Sequence, residues 1–353
     1  MSSTPLVSVV IPSYKAAAYV GQLCRTLQDQ TYGNFEALIG DDGSQDGTES
    51  VVAPFLSDPR FRFFAWNPNR GFGRATLTLL HQAKGEFWCH PGADDLLHPD
   101  FIAERTAILS SHPSAVLAHG PPIHIDPNGI AFSPENGTLL PDNFTQGPSL
   151  EQLLQHNLIN NPGIMARMSV TRMVLPFISP TLRYAFDWFI WFLLASTGQD
   201  FVRDPVPRHR YRVHPTSLTC DPQWASYRQA ETRLVPLCAL AAASRFSPDA
   251  ALLWSRWRQP LYVLWLTRAA HLTRRGLWRD EWLQLGAQAY YNNAHNRVSL
   301  AWELARHAPS VARYFMAEQL MVRQQAFRVS GLALVNDPLF FKPSSKLTPI
   351  RPV

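Results

Sequence analysis

The chain predicts an α/β fold: a doubly wound, mainly parallel sheet, followed by an all-helical C-terminal module. Three observations carry that reading. Residues 6–12 (Leu-Val-Ser-Val-Val-Ile-Pro) form an unbroken β-branched run, the mark of a strand buried on both faces. Short apolar runs then alternate with helical periodicity as far as residue 89, which argues for crossover units. After Asp221 the composition turns to Ala, Leu, Trp and Arg at helical spacing.

Each element has its own local reason. Val20, Leu23, Cys24 and Leu27 lie on one face of a helix over 19–30. A second apolar strand, 35–40, runs into Asp41-Asp42-Gly43-Ser44-Gln45-Asp46-Gly47-Thr48, a loop with capping chemistry that leads to a helix over 49–56. A strand over 61–66, a helix over 73–83 and a strand over 86–89 complete the alternation, and a helix starts at Pro99-Asp100. Between 115 and 161 Pro, Gly and Asn loosen the pattern into strands and loops. Phe186, Phe189, Ile190, Leu193 and Leu194 define a helix over 185–195. The predicted division is 1–221 for the α/β domain, 222–337 for a helical domain with helices at 261–271, 281–291, 297–307 and 311–329, and 338–353 for an extended tail.

At 353 residues, 46% apolar and 17% charged, this is a folded chain with ample core. Cys24, Cys89, Cys220 and Cys238 show no metal-ligand spacing and suit reduced thiols in the cytoplasm. No signal-peptide pattern opens the sequence, and its longest aromatic-aliphatic run, 188–195, is too short to span a bilayer. Charge is uneven: residues 1–199 hold 11 Lys/Arg against 17 Asp/Glu, and residues 200–353 hold 21 against 10. The basic half suits either an anionic membrane surface or a plain solvated helical face, and contains no recognised nucleic-acid module.

The segment His90-Pro-Gly-Ala-Asp-Asp-Leu-Leu-His-Pro99 follows an apolar strand. Two adjacent carboxylates at a buried strand end need a positive partner, and carboxylate oxygens suit Mg²⁺ or Mn²⁺. An acidic helix cap would also explain them. The convergence of Tyr14, Asp41/Asp42 and Asp94/Asp95 on strand carboxyl ends, where such sheets bind ligands, favours a site.

Residues 7–14, 27–48 and 83–88, the Gly92-Ala93-Asp94-Asp95 segment with Pro99, Phe186-Asp187-Trp188 and Tyr211-Arg-Val-His-Pro-Thr-Ser217 together resemble the family 2 glycosyltransferases of GT-A fold. The resemblance covers about residues 6–218. It implies an inverting, metal-dependent transferase that uses a nucleotide-diphosphate sugar, commonly a UDP-sugar. It also implies donor contacts at Pro12, Tyr14, Asp42, Arg74, Ala93, Asp94 and Arg212, with the metal held by Asp94 and His214. Asp187 takes the place of the base that deprotonates the acceptor. Two positions depart from the family pattern: Gly92 replaces the first Asp of Asp-x-Asp, and Leu77 stands where Asn is common.

The function expected is transfer of one sugar to a glycan, lipid-linked or protein acceptor, in bacterial surface polysaccharide or glycoconjugate synthesis at the inner face of a membrane. A non-catalytic nucleotide-sugar or glycan-binding subunit is one alternative, which the presence of Asp187 argues against. A sugar nucleotidyltransferase is another, and the loop 12–16 lacks the glycines it would need.

Overall fold

The computed structural model describes residues 4–133 and 147–275, with Leu277, Trp282, Leu285, Gly286 and Ala289. The helices expected over 281–291 (apart from four single positions), 297–307 and 311–329, and the tail over 338–353, lie outside the described residues. In chain order the elements are β1 (Val7–Ser13), α1 (Val20–Gln28), β2 (Phe35–Asp41), α2 (Thr48–Val52), β3 (Phe61–Ala65), α3 (Phe72–Gln82), β4 (Phe87–Cys89), β5 (Leu96–Leu97), α4 (Phe101–Ser111), β6 (Ala115–His119), β7 (Ile123–Ile125), α5 (Leu150–Gln155), β8 (Met165–Arg167), α6 (Met168–Val174), α7 (Phe186–Ala195), β9 (Asp200–Arg203), β10 (His209–Arg212), α8 (Ala225–Ala243) and α9 (Pro248–Arg274).

Seven strands form the main sheet in the order β3-β2-β1-β4-β8-β6-β9. Only β8 runs antiparallel to its neighbours, β4 and β6; the other pairings are parallel. The order reverses between β1 and β4, so the crevice beyond their carboxyl ends is the topological switch point where open α/β sheets bind ligands. Alternate residues of β1 feed opposite cores. Val7, Val9 and Ile11 pack with α1, α2 and α4, while Val10 packs with α3, α6 and α7. That is why the β1 run is buried throughout and mostly apolar.

Where boundaries differ from the sequence expectation, the cause is local. The helix expected over 49–56 is split into α2 and a 3₁₀ turn, Ala53–Ser57, because Pro54 has no amide to donate and crowds the preceding turn. The helix expected over 261–271 is the second half of α9, which runs through Pro260. α8 packs between α7 and α9, and Tyr262, Trp265 and Leu266 of α9 belong to the same apolar cluster as Trp191 of α7 and Val10 of β1. Among the described residues no helix is long and apolar enough to cross a membrane.

Candidate active site

A second, three-stranded sheet in the order β5-β10-β7 builds the centre of the site. β5 begins one residue after Asp95, and β10 ends two residues before His214. Their antiparallel pairing, Leu97 with His209 and Leu96 with Arg210, therefore brings the loop after β4 against the loop after β10. Asp94 and His214 meet across 120 positions of sequence, with His214 Nε2 2.9 Å from Asp94 Oδ2. The other ring nitrogen, Nδ1, lies 3.0 Å from Thr216 Oγ1. The Asp94 side chain keeps 29% of its surface exposed and His214 keeps 8%. A carboxylate and an imidazole at this spacing fit one divalent cation, with the remaining positions open to phosphate oxygens and water. Among the described residues no third His, Cys, Asp or Glu joins them as a metal cluster.

Asp95 is wholly buried and serves the frame. Its carboxylate accepts the amides of Arg212 (2.9 Å) and Gly92 (3.0 Å). Burial first, and then the neighbouring Asp94 charge, hold its proton affinity well above the ordinary carboxylate range. Gly92 is enforced by this turn. A Cβ there would stand 2.5 Å from Asp95 Oδ2 and 2.6 Å from Asp94 Oδ1, so no side chain fits unless a carboxylate moves.

Arg212 departs from the expected phosphate contact. The residue is fully buried, and its guanidinium donates to the carbonyls of Asp94 (2.7 Å), Asp126 (3.2 Å) and Pro127 (2.9 Å) and to Gln22 Oε1 (2.9 Å). Tyr19 covers its face, with the ring centroid 4.7 Å from Cζ. With its face covered and four donor bonds made, Arg212 clips the loop after β4 to α1 and the β7 turn instead of facing a diphosphate. Tyr19 also packs on His214, ring centroids 4.8 Å apart. Sequence reasoning gave Tyr19 no role, since an aromatic at a helix start carries no signal of its own.

At the ends of β1 and β2 the geometry is divided between two aspartates. Asp42 accepts the amides of Arg70 (2.9 Å) and Gly71 (2.7 Å), one on each carboxylate oxygen, and so fastens the loop before α3. Asp41 accepts the Ser44 amide, at 3.2 Å on Oδ2. Its buried Oδ1 and the buried Ser13 Oγ find no partner among the described residues. Burial, opposed by the Ser44 bonds, raises the Asp41 proton affinity. Ser13 and Asp41 are register partners, so their side chains share one face. Tyr14 stands 41% exposed beside them; Pro12 is buried within β1 and Ala93 is buried in the loop after β4. Arg74 projects from α3 into a shallow groove of about 350 Å³ lined also by Arg70, Leu77, Thr78 and His81.

Asp187 is the second residue of α7. Its Oδ2 accepts Asn157 Nδ2 at 3.0 Å and its Oδ1 accepts the Trp188 amide at 2.7 Å. Burial pushes the carboxyl from the ordinary 3.8 up to about 6, against the pull of both bonds. Phe186 packs edge-on to Phe72, and Arg183 lies 3.4 Å from Asn69 Oδ1, so the Asp187 segment abuts the loop that Asp42 fastens. Asn161 bonds the buried His90 (2.9 Å) and Asn160 the buried His209 (2.9 Å), tying the segment that carries Asn157 to the loop after β4 and to the start of β10. Trp188 and Trp191 are core, as tryptophans at helical spacing usually are.

Residues 8–172 match the model for glycosyl transferase family 2, and this part of the chain is a family 2 glycosyltransferase domain. An uncharacterized glycosyltransferase of Haemophilus influenzae is 26% identical over 218 residues, which is 61% of this chain and 67% of the relative. Chondroitin synthase of Escherichia coli is 32% identical over 103 residues, 29% of this chain but only 15% of the synthase. Among the curated relatives the chain thus spans from about two thirds of the length down to a small fraction. Residues 1–349 of S. aureus TarS in complex with UDP superpose with a TM-score of 0.55 at 14% identity, covering 89% of this chain and 90% of that one. A mannosyltransferase from Pyrobaculum calidifontis in complex with GDP-Man and Mn²⁺ gives 0.50 at 17% identity, covering 90% and 86%. At such identities the likeness is one of fold, the GT-A arrangement.

Proposed function

We propose that this glycosyltransferase is an inverting enzyme that moves one sugar from a nucleotide-diphosphate sugar to a hydroxyl of a glycan, lipid-linked or protein acceptor. The observation that carries the reading is the Asp94–His214 pair, 2.9 Å apart and partly solvent-exposed at the sheet's switch point. A UDP-sugar is the first donor to test, since one structural neighbour was solved with UDP; another holds GDP-Man. Surface-glycan synthesis is the first pathway class to test, since one relative is a chondroitin synthase and another, in Bacillus subtilis, is named as a candidate teichuronic acid biosynthesis enzyme.

In this reading Tyr14 stacks on the base, and Ser13 Oγ and Asp41 Oδ1 offer it hydrogen bonds from below. Asp94 and His214 hold a Mg²⁺ or Mn²⁺ ion, which when bound supplies positive charge to the leaving diphosphate. Asp187 accepts the acceptor's hydroxyl proton as that oxygen bonds to the anomeric carbon and the bond to the diphosphate breaks on the opposite face. A proton affinity near neutrality suits that task, because the group is ionised at pH 7 yet still basic enough to take the proton.

Binding of a nucleotide-sugar panel with and without Mn²⁺, followed by thermal shift on wild type and Asp94→Ala, tests the reading. A metal-dependent upshift with one donor, lost in Asp94→Ala, is the expected result. No shift with any donor from folded protein would refute the donor-binding reading and leave a glycan-binding subunit as the alternative. The net charge of +11 over 200–353 further suggests docking on an anionic membrane surface; flotation with anionic vesicles should weaken as salt rises if so.

A further inference from the structure

α8 sends two side chains into the loops of the candidate site. Glu231 is fully buried, and its carboxylate accepts three successive backbone amides: Arg183 (2.9 and 3.1 Å to its two oxygens), Tyr184 (2.7 Å) and Ala185 (3.0 Å). Ala185 immediately precedes α7, which has no side-chain cap of its own from that position. One turn earlier on α8, Arg228 Nη1 donates to the carbonyls of Leu218 (3.0 Å) and Asp221 (2.8 Å), closing the segment that starts at His214. Positions i and i+3 share a helix face, so one face of α8 holds both halves of the site. A buried carboxylate is costly unless it is well bonded, and a run of converging amides is the arrangement that compensates it.

We propose that Glu231 is a positioning residue for Asp187: by gripping the three amides before α7 it fixes where that helix starts, and hence where the Asp187 carboxylate points. The helical segment after residue 221 is then part of the catalytic unit. The inference rests on Asp187 acting as the base. Tyr184, on the loop before α7, feels the charges of Asp187, of Arg228 and Glu231 on α8, and of Cys220 ahead of α8. Asn157 faces it from the segment after α5. Removing the Glu231 charge frees amides whose dipoles stabilise the ionised base, so its titration moves down in pH.

Steady-state kinetics of Glu231→Gln from pH 5 to 8, beside wild type and Asp187→Asn, test this. The expected result is a kcat lower by about 30-fold or more, as for a base displaced by a fraction of an ångström, with donor KM within about twofold. The acidic limb of kcat should also move down by about half a pH unit. Glu231→Asp, which keeps the charge but shortens the reach, should restore the limb while leaving kcat reduced. An unchanged kcat and limb in a folded Glu231→Gln would overturn the proposal. Should that variant fail to fold, hydrogen exchange on wild type decides: the 183–185 amides must be protected, and open-loop rates there would overturn it. Full turnover by Asp187→Asn would instead refute the base assignment and leave the Glu231 bonds standing.

Discussion

Asp187→Asn should make the protein more stable and all but inactive, and both effects follow from one carboxylate. Burial raises its proton affinity from 3.8 to about 6, a difference of about two pH units. At about 1.4 kcal/mol per unit, and with part of the side chain still in contact with water, the ionised group costs about 1–3 kcal/mol of stability at neutral pH. The sign follows from the direction of the shift. A carboxyl with a raised folded-state value favours folding while protonated, below 3.8, and loses that contribution as pH rises through 6. Asn cannot ionise, so the variant's advantage over wild type should open between about pH 4 and 6 and stay constant above. Denaturant unfolding at pH 4.5 and 7.5 measures it. Turnover should fall by about 10²–10⁴-fold in the variant. In wild type kcat should drop about tenfold between pH 7 and 5 as the base becomes protonated. A variant less stable than wild type at pH 7.5, with a flat wild-type pH profile, would refute the argument from burial.

Gly92→Ala forces the Asp94 or Asp95 carboxylate to shift, so donor-dependent thermal stabilisation with Mn²⁺ should fall by about tenfold in apparent affinity, and Gly92→Asp should do worse rather than restore a second motif carboxylate. His214→Ala leaves Asp94 as the sole protein ligand and should weaken Mn²⁺ binding at least tenfold by calorimetry, with the apo fold intact. Arg212→Lys keeps the charge but cannot reach four acceptors at once, and should cost about 2–4 kcal/mol in denaturant unfolding.

The sheet was legible because its first strands are buried on both faces. A run such as Val7–Ile11 admits few other readings, and the helices between the strands carry clear periodicity. β8, β9 and β10 were not legible: at three or four residues each they are too short to show alternation, and sheet neighbours hold them in place. Candidate residues at strand ends could be named, but their states could not. Asp41 and Asp42 are adjacent in sequence, yet one is fastened by two amides and the other keeps a buried oxygen without a partner. Arg212 was expected at the diphosphate because the resemblance places it there and a cation suits a leaving diphosphate. Only the packing shows its donors already engaged. Glu231 gave no signal at all, since a lone acid within an Ala- and Leu-rich helix looks like an exposed position.

The replacement of the first motif Asp by Gly92 is best understood together with Asp95 and Arg212. In a loop built as Asp-x-Asp, both carboxylates turn toward the ligand side. Here Asp95 turns back instead, fills the space a residue-92 side chain would need, and takes the amides of Gly92 and Arg212. Arg212 in turn reads the Asp94 carbonyl, so the backbone of the one exposed carboxylate is held from both sides. The loop has exchanged a second ligand-facing acid for rigidity around the first. If the proposed metal binds here, a weaker pull on it would be balanced by less freedom to lose on binding, because the backbone of Asp94 is clipped and His214 is packed before the ion arrives.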